Sequence, residues 1–285
     1  MSDQARNIVW IASYPKSGNT WVRFLACNLL YGPQESASSL NHLVPDIHEL
    51  GEQLPRLAIG GGLLKTHFVC SPRLPLLNRT AGAIYVVREP GDVLASNYHY
   101  SRRSSAESTD SKEEFERYFE SFVLNRGDAR WTGLGMGGWD ENVLSWLGVL
   151  HPFPVVAVRY EDLARDPRSV CRTLAQLLKP ETSAAEIDRV VESCSFQRMR
   201  EVEEADIRAR RVGIFYKPYL QSAIDSGARF MRRGAVGEAE SRLLPEQRAR
   251  LRDTFAPLLS QLGYLSDSTS VEQGLPAPAS CQIPK

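Results

Sequence analysis

The sequence has no pair of cysteines at CxxC spacing, and its five cysteines, Cys27, Cys70, Cys171, Cys194 and Cys281, are odd in number. This argues against structural zinc or a disulfide framework and suits a reducing compartment. No apolar run approaches the roughly 20 residues that a bilayer-spanning helix needs, and the first residues lack the charged and apolar regions of a signal peptide. Net charge is absent too, since 34 Lys and Arg balance 34 Asp and Glu. A neutral total offers no broad field for nucleic acid or an anionic membrane, so neither is expected as a partner and local positive sites matter more. The densest basic cluster, Arg208, Arg210 and Arg211, reads as a solvated helix face. A cytoplasmic protein is expected.

The usual nucleotide-binding pattern GxxxxGK[ST] is missing as well. Asn7 to Tyr31 instead reads NIVWIASYPKSGNTWVRFLACNLLY, an apolar strand, a turn with Lys16, Ser17, Gly18, Asn19, Thr20 and Trp21, then an apolar helix. At such a helix start several N–H groups lack intrahelical partners and the macrodipole is positive, which suits a phosphate or sulfate. Lys16 precedes Gly18 rather than following it, so the loop is P-loop-like but not built for a magnesium triphosphate. An exposed Trp21 indole could stack on or border a nucleotide. The bland alternative is an ordinary Pro15 to Gly18 turn with a solvated lysine.

A second constellation follows. AIYVV, Ala83 to Val87, is a continuous apolar run of the kind buried on both faces of a parallel sheet, and it ends in Arg88. Ligands of open α/β sheets bind outside the carboxyl ends of the strands. Arg88 and Ser96 together can grip a second phosphate, with Asp92 as a helix cap; alternatively Arg88 pairs with Glu89 or Asp92 on the surface. A magnesium-dependent phosphotransferase typically wants an aspartate at such a strand end, so arginine there argues against a metal. Between the two constellations, GGGLLKTHF is consistent with a short buried strand ending in Lys65, Thr66 and His67. A lone histidine is more often structural than catalytic. Lys65 lies two residues earlier, however, and along a strand points the same way, so both would face one cleft.

From about Ile8 to about Glu238 these residues resemble the soluble sulfotransferases that use 3'-phosphoadenosine 5'-phosphosulfate (PAPS). YPKSGNTW is similar to the family's 5'-phosphosulfate loop, with Lys16, Ser17, Gly18, Thr20 and Trp21 on matching positions and Asn19 where a threonine is common. KTHF resembles the segment carrying the catalytic histidine, His67, and a lysine near the transferred group, Lys65. YVVREPGDVLASNYHY is similar to the 3'-phosphate signature with Arg88 and Ser96. VVAVRYEDLARDP resembles the strand and turn whose tyrosine, here Tyr160, approaches the adenine. CSFQRM matches at Phe196 and Met199 but has Cys194 where the family has threonine. FMRRGAVGE is similar to the loop over the 3'-phosphate, implying Arg232, Arg233 and Gly234, although Ala239 stands where a tryptophan is frequent. The dimerisation segment of many animal members is not recognisable, which leaves the oligomeric state open. WIASYPKSGNTW paired with KTHF particularly resembles bacterial members that tailor natural products such as glycopeptide antibiotics.

The resemblance implies PAPS as cofactor, no metal, and a small-molecule acceptor, with His67 as general base and Lys16 and Lys65 as cations at the transferred group. The bare chemistry agrees: a nucleotide phosphorylated at two ends needs two anion sites, and a base of near-neutral pKa is at hand. Phe68, Tyr98, Trp139, Phe215 and Tyr216 are candidates for an apolar acceptor wall, or for core. TGLGMGGW, Thr132 to Trp139, reads as a lid or a plain surface loop. A magnesium-dependent kinase or NTPase and a non-catalytic nucleotide-binding protein are the rival readings.

With 285 residues, 42% of them hydrophobic, the expected fold is a single α/β domain over 1–265 with a central, mainly parallel sheet flanked by helices. Ser111 with Glu114 and Ser183 with Glu186 predict capping boxes, Asp166 before Pro167 a helix start, and Pro245 to Leu262 a late helix. Residues 266–285, rich in Ser, Pro and Gln, predict a disordered tail.

Overall fold

A computed structural model describes residues 6–50, 62–102 and 111–265; the tail expected over 266–285 lies outside them. Four strands, β1 (Ile8–Ser13), β2 (Gly62–Thr66), β3 (Thr80–Val87) and β4 (Val155–Arg159), form one sheet in the order β2-β1-β3-β4. All three pairings are parallel, with Ile11 beside Lys65, Ala12 beside Tyr85 and Tyr85 beside Ala157. The apolar runs are continuous because both faces of the sheet are covered. Ile11, Ile84, Val86 and Val158 face one core with Phe24, Leu25, Leu163 and Leu174. Trp10, Ala12, Tyr85 and Val87, alternating with them along the strands, face a second core with Trp139, Trp146 and Phe255.

The helices Asn19–Tyr31, Pro167–Leu178 and Ala184–Ser193 contribute to the first core, and Pro90–Arg102, Lys112–Leu124, Trp139–Leu147 and Pro245–Gln261 to the second. Their starts follow local chemistry. Ser183 and Glu186 exchange both capping-box bonds, the Ser111 hydroxyl accepts from the Glu114 N–H at 3.1 Å, and Asp166 accepts from the Ser169 N–H at 3.0 Å. Asp92 does not cap its own helix. Pro90 is the first helical residue, so the cap falls to Glu89, whose carboxylate accepts the Asp92 N–H at 2.8 Å. Asp92, one turn in, reaches across to the Gly237 and Ala239 N–H groups, both at 2.9 Å, at the start of helix Glu238–Arg242. Among the described residues no helix is long and apolar enough to cross a membrane.

Candidate active site

The strand order places the reversal of winding between β1 and β3, and a cleft opens at the carboxyl ends of the strands, where such a sheet accommodates ligands. One cavity of about 400 Å³ is lined by Lys16, Gly18, Asn19, Thr20 and Trp21 from the first loop and by Lys65 and His67 after β2. Arg88 and Ser96 after β3, Tyr160 after β4, Phe196, Arg232, Arg233 and Gly234 line the same cavity. Residues separated by more than two hundred positions thus meet at one sheet edge.

The first loop is held tightly. Lys16 and Gly18 adopt left-handed backbone, φ 71° and 98°, and a Cβ on Gly18 would lie 2.4 Å from Tyr160 Cδ2. Asn19 turns inward: its Nδ2 donates to the Ile11 carbonyl at 3.1 Å and to Ser13 Oγ at 3.3 Å, so it staples the loop to β1. Asn97, a residue that sequence reasoning missed, donates to the Pro15 carbonyl at 3.3 Å and accepts from Trp131 Nε1 at 2.8 Å. Lys16 Nζ lies 4.4 Å from the Tyr100 ring centroid and 4.3 Å from that of Phe230. The Trp21 indole is not exposed: 9% accessible, it turns edge-on to Tyr160 at 6.1 Å rather than out to solvent. Ser17 is fully buried and does not line the cavity.

Arg88 does pair with Asp92, at 3.2 Å, but in a buried setting rather than on the surface. Its guanidinium also donates to the Ala235 carbonyl at 3.0 Å and lies 4.2 Å from the Tyr160 ring centroid. The loop that follows is tied down by Glu203, a fully buried carboxylate accepting the N–H groups of Phe230 at 2.5 Å and Met231 at 2.8 Å. Gly234, φ 64°, is pressed against Phe196. Arg232 pairs with Glu238. Ser17 Oγ, Trp21 Nε1 and Arg88 Nε are buried polar atoms without a hydrogen-bond partner. An unmatched indole N–H and an unmatched guanidinium Nε–H on residues lining the cavity beside the Gly18 turn fit a polyanionic nucleotide.

At the other end, His67 Nδ1 lies 2.7 Å from the Ser13 carbonyl, which can only accept, so Nδ1 carries the proton and Nε2 carries the lone pair. Burial, with the Lys65 ammonium nearby, holds the imidazole well below its ordinary pKa and therefore neutral. Lys65 Nζ is 2.7 Å from Asp46 Oδ2. Burial lowers the lysine to about 8 against the opposing pull of Asp46. His48 Nε2 accepts the His67 N–H at 2.8 Å. Asn142 donates to the His67 carbonyl at 2.8 Å and to the Met136 carbonyl at 2.7 Å, and this pins the glycine-rich segment 132–139 beside the site. Asp46, His48 and Asn142 carried no periodic or motif signal in the sequence.

Cys194 does not line the cavity: it is buried in the first core and accepts from Asn28 Nδ2 at 3.1 Å. Nor do Phe68, Tyr98, Trp139, Phe215 and Tyr216 form an acceptor wall. Tyr98, Trp139 and Phe215 are buried in the cores, Tyr216 packs with Leu220 and Ile224, and Phe68 packs on His48 with ring centroids 4.2 Å apart. The apolar lining comes from Tyr100, Trp131, Leu134, Met136, Ile214 and Phe230.

The parallel α/β sheet, the lysine-bearing loop before a helix start and the second basic site opposite define a group transferase handling a phosphorylated nucleotide. Residues 6–263 match the sulfotransferase domain, and the chain belongs to the sulfotransferase family, whose members are PAPS-dependent enzymes. It is 28% identical to cytosolic sulfotransferase 10 of Arabidopsis thaliana, over 83% of this chain and 73% of that protein. It is also 28% identical to 3-alpha-hydroxysteroid sulfotransferase of Cavia porcellus, over 79% of this chain and 74% of that protein. Its fold is similar to that of mouse sulfotransferase SULT7A1 solved with PAP, at a TM-score of 0.64 and 19% identity, covering 89% of this chain and 85% of that one.

Proposed function

We propose that the chain transfers a sulfuryl group from PAPS to a hydroxyl of a small molecule, with His67 as general base and Lys16 and Lys65 as cations beside the transferred group and the leaving phosphate. The observation that carries this reading is the bond from His67 Nδ1 to the Ser13 carbonyl at 2.7 Å, which leaves a neutral ring with its basic nitrogen available in the cavity that Lys16 and Lys65 line. When bound, the donor supplies the electrophilic sulfur and a bisphosphate leaving group. Ser17, Gly18, Asn19, Thr20 and Trp21 would form or shape the cradle for its 5' end, Arg88, Ser96, Arg232, Arg233 and Gly234 that for its 3'-phosphate, and Tyr160 and Phe196 the walls of the base site. His67 takes the acceptor proton at Nε2, and the two lysines offset the charge that develops on the departing oxygen.

A hydroxyl acceptor of modest size suits the apolar lining by Trp131, Met136 and Ile214, and the hydroxysteroid-sulfating relative acts on such a compound class by name. Cytoplasmic placement belongs to the same reading, supported by the unpaired thiols Cys27, Cys70, Cys171 and Cys194. Calorimetry in EDTA tests the donor assignment. The expected result is tight binding of 3'-phosphoadenosine 5'-phosphate, weaker binding of ADP and ATP, and loss of affinity in Arg88→Ala. A preference for ATP with magnesium would overturn it, and turnover of a hydroxyl panel with PAPS then tests the acceptor class.

A further inference from the structure

The helix Ile47–Leu50 and the residues just before it lie along β2 although they belong to no named strand. The Lys65 N–H donates to the Pro45 carbonyl at 2.9 Å, and Asp46 bridges Lys65 in parallel register. From this strap two side chains reach the two groups that do the chemistry. Asp46 divides its carboxylate, Oδ2 taking the Lys65 ammonium at 2.7 Å and Oδ1 the His48 N–H at 3.0 Å. His48 in turn accepts the His67 backbone N–H at 2.8 Å, lies 5.7 Å ring to ring from His67, and is backed by Phe68 at 4.2 Å. The connections run Lys65 to Asp46 to His48 to His67, with each link a direct hydrogen bond.

We propose that Asp46 and His48 are positioning residues of the transfer reaction, Asp46 fixing the Lys65 ammonium in place and in its charged state, and His48 fixing the backbone from which the His67 imidazole projects. The proposal rests on the roles given above to Lys65 and His67. A backbone N–H can only donate, so His48 serves only with Nε2 unprotonated; burial and the Lys65 charge lower its pKa to about 4, which keeps it in that form at neutral pH. For Lys65 the surrounding ionisable groups are Asp46, His48 and Glu49 from the strap, Arg23 from helix Asn19–Tyr31, and His67 beyond its own strand. Arg23 opposes its charge. Of the two carboxylates only Asp46 hydrogen-bonds it, while Glu49 is engaged by Lys217 at 2.8 Å.

A pH profile reads this directly, because a residue of purely structural importance lowers activity without moving a pKa. In kcat/KM for PAPS, which reports the free enzyme, the alkaline limb should lie near pH 8, where Lys65 loses its proton. Lys65→Arg should abolish that limb. Asp46→Asn should move it down by about one unit or more, since an adjacent opposite charge is worth that much, while Asp46→Glu, which keeps the charge, should leave it near its original position. His48→Ala should lower kcat roughly tenfold to a hundredfold, the scale of a slightly misplaced catalytic group, with affinity for 3'-phosphoadenosine 5'-phosphate unchanged. His48→Gln, whose carboxamide oxygen can accept the same N–H, should recover most of the rate.

An alkaline limb that stays put in Asp46→Asn, in an enzyme that loses it in Lys65→Arg, would overturn the role of Asp46. Equal rates in His48→Ala and wild type would overturn that of His48. A limb that survives Lys65→Arg would instead strike the assignment of Lys65 beneath both. Thermal melting of each variant reads folding separately from these kinetic changes.

Discussion

The Tyr160 ring fills the space that a side chain at Gly18 would need, with Cδ2 2.4 Å and Cε2 2.9 Å from the position of a Cβ. The same ring faces the Arg88 guanidinium at 4.2 Å and the Trp21 indole at 6.1 Å. Tyr160 thus wedges between the lysine loop and the Arg88 loop, beside the bond that the Arg88 guanidinium donates to the Lys16 carbonyl at 3.4 Å.

Gly18→Ala should accordingly do damage at both ends of the donor site. The left-handed φ of 98° and the collision with Tyr160 together cost about 1–3 kcal/mol of strain. Displacement of Tyr160 loosens Arg88. Thermal melting should show the lost stability, and calorimetry a fall in bisphosphate affinity. Affinity equal to wild type would contradict the spacer role.

Arg88→Ala removes the cation facing Asp92 and Ala235. Donor affinity should fall by about 1.5–3 kcal/mol for each charged hydrogen bond lost. Asp92→Ala, which keeps the guanidinium but frees the Gly237 and Ala239 N–H groups, should weaken binding through the disordered loop and lower the melting temperature as well. Bisphosphate titration of the two variants side by side separates direct contact from positioning.

His67→Ala should slow turnover by roughly 10²–10⁴ while bisphosphate binding stays near wild type, because none of the contacts that His67 makes is with the Arg88 loop. Single-turnover kinetics with saturating PAPS measures the first quantity. An unchanged rate would remove His67 from the mechanism.

Acid should destabilise the fold through the same ring. His67 and His48 are both held below 6.5 by burial and the Lys65 charge, His48 to about 4. The unfolded chain binds protons near pH 6.5 that the folded chain refuses, so their contribution to stability is complete above that pH and is lost as pH falls toward 4. Scanning calorimetry from pH 7 to 4 should show a falling midpoint, and a His48→Gln, His67→Gln double variant a flatter dependence.

Much of this was legible in the chain because a parallel sheet buried on both faces writes its strands as unbroken apolar runs: Ile8 to Ala12 and Ala83 to Val87 needed no partner to be recognised. The meeting of the two loops at one cavity was legible for a different reason, since a strand running into PKSGNTW or REP puts a turn and candidate ligand groups in one contiguous stretch. Asp46 and His48 were hidden because they reach the site across β2 from a short helix without periodicity and the residue just before it. Trp21 and the expected acceptor aromatics show the other limit. Hydrophobicity marks a ring as wanting cover, but whether Tyr98 or Tyr100 turns to the cavity is decided by packing on Phe115 and Tyr118, far along the chain.

Asp92 takes its two backbone donors from residues 145 and 147 positions later. During synthesis the lysine loop and the sheet that carries it leave the ribosome long before those donors exist. On the donor reading proposed above, a growing chain holds the anchor for one end of the nucleotide before the clamp for the other, and the clamp waits until Ala239 has emerged.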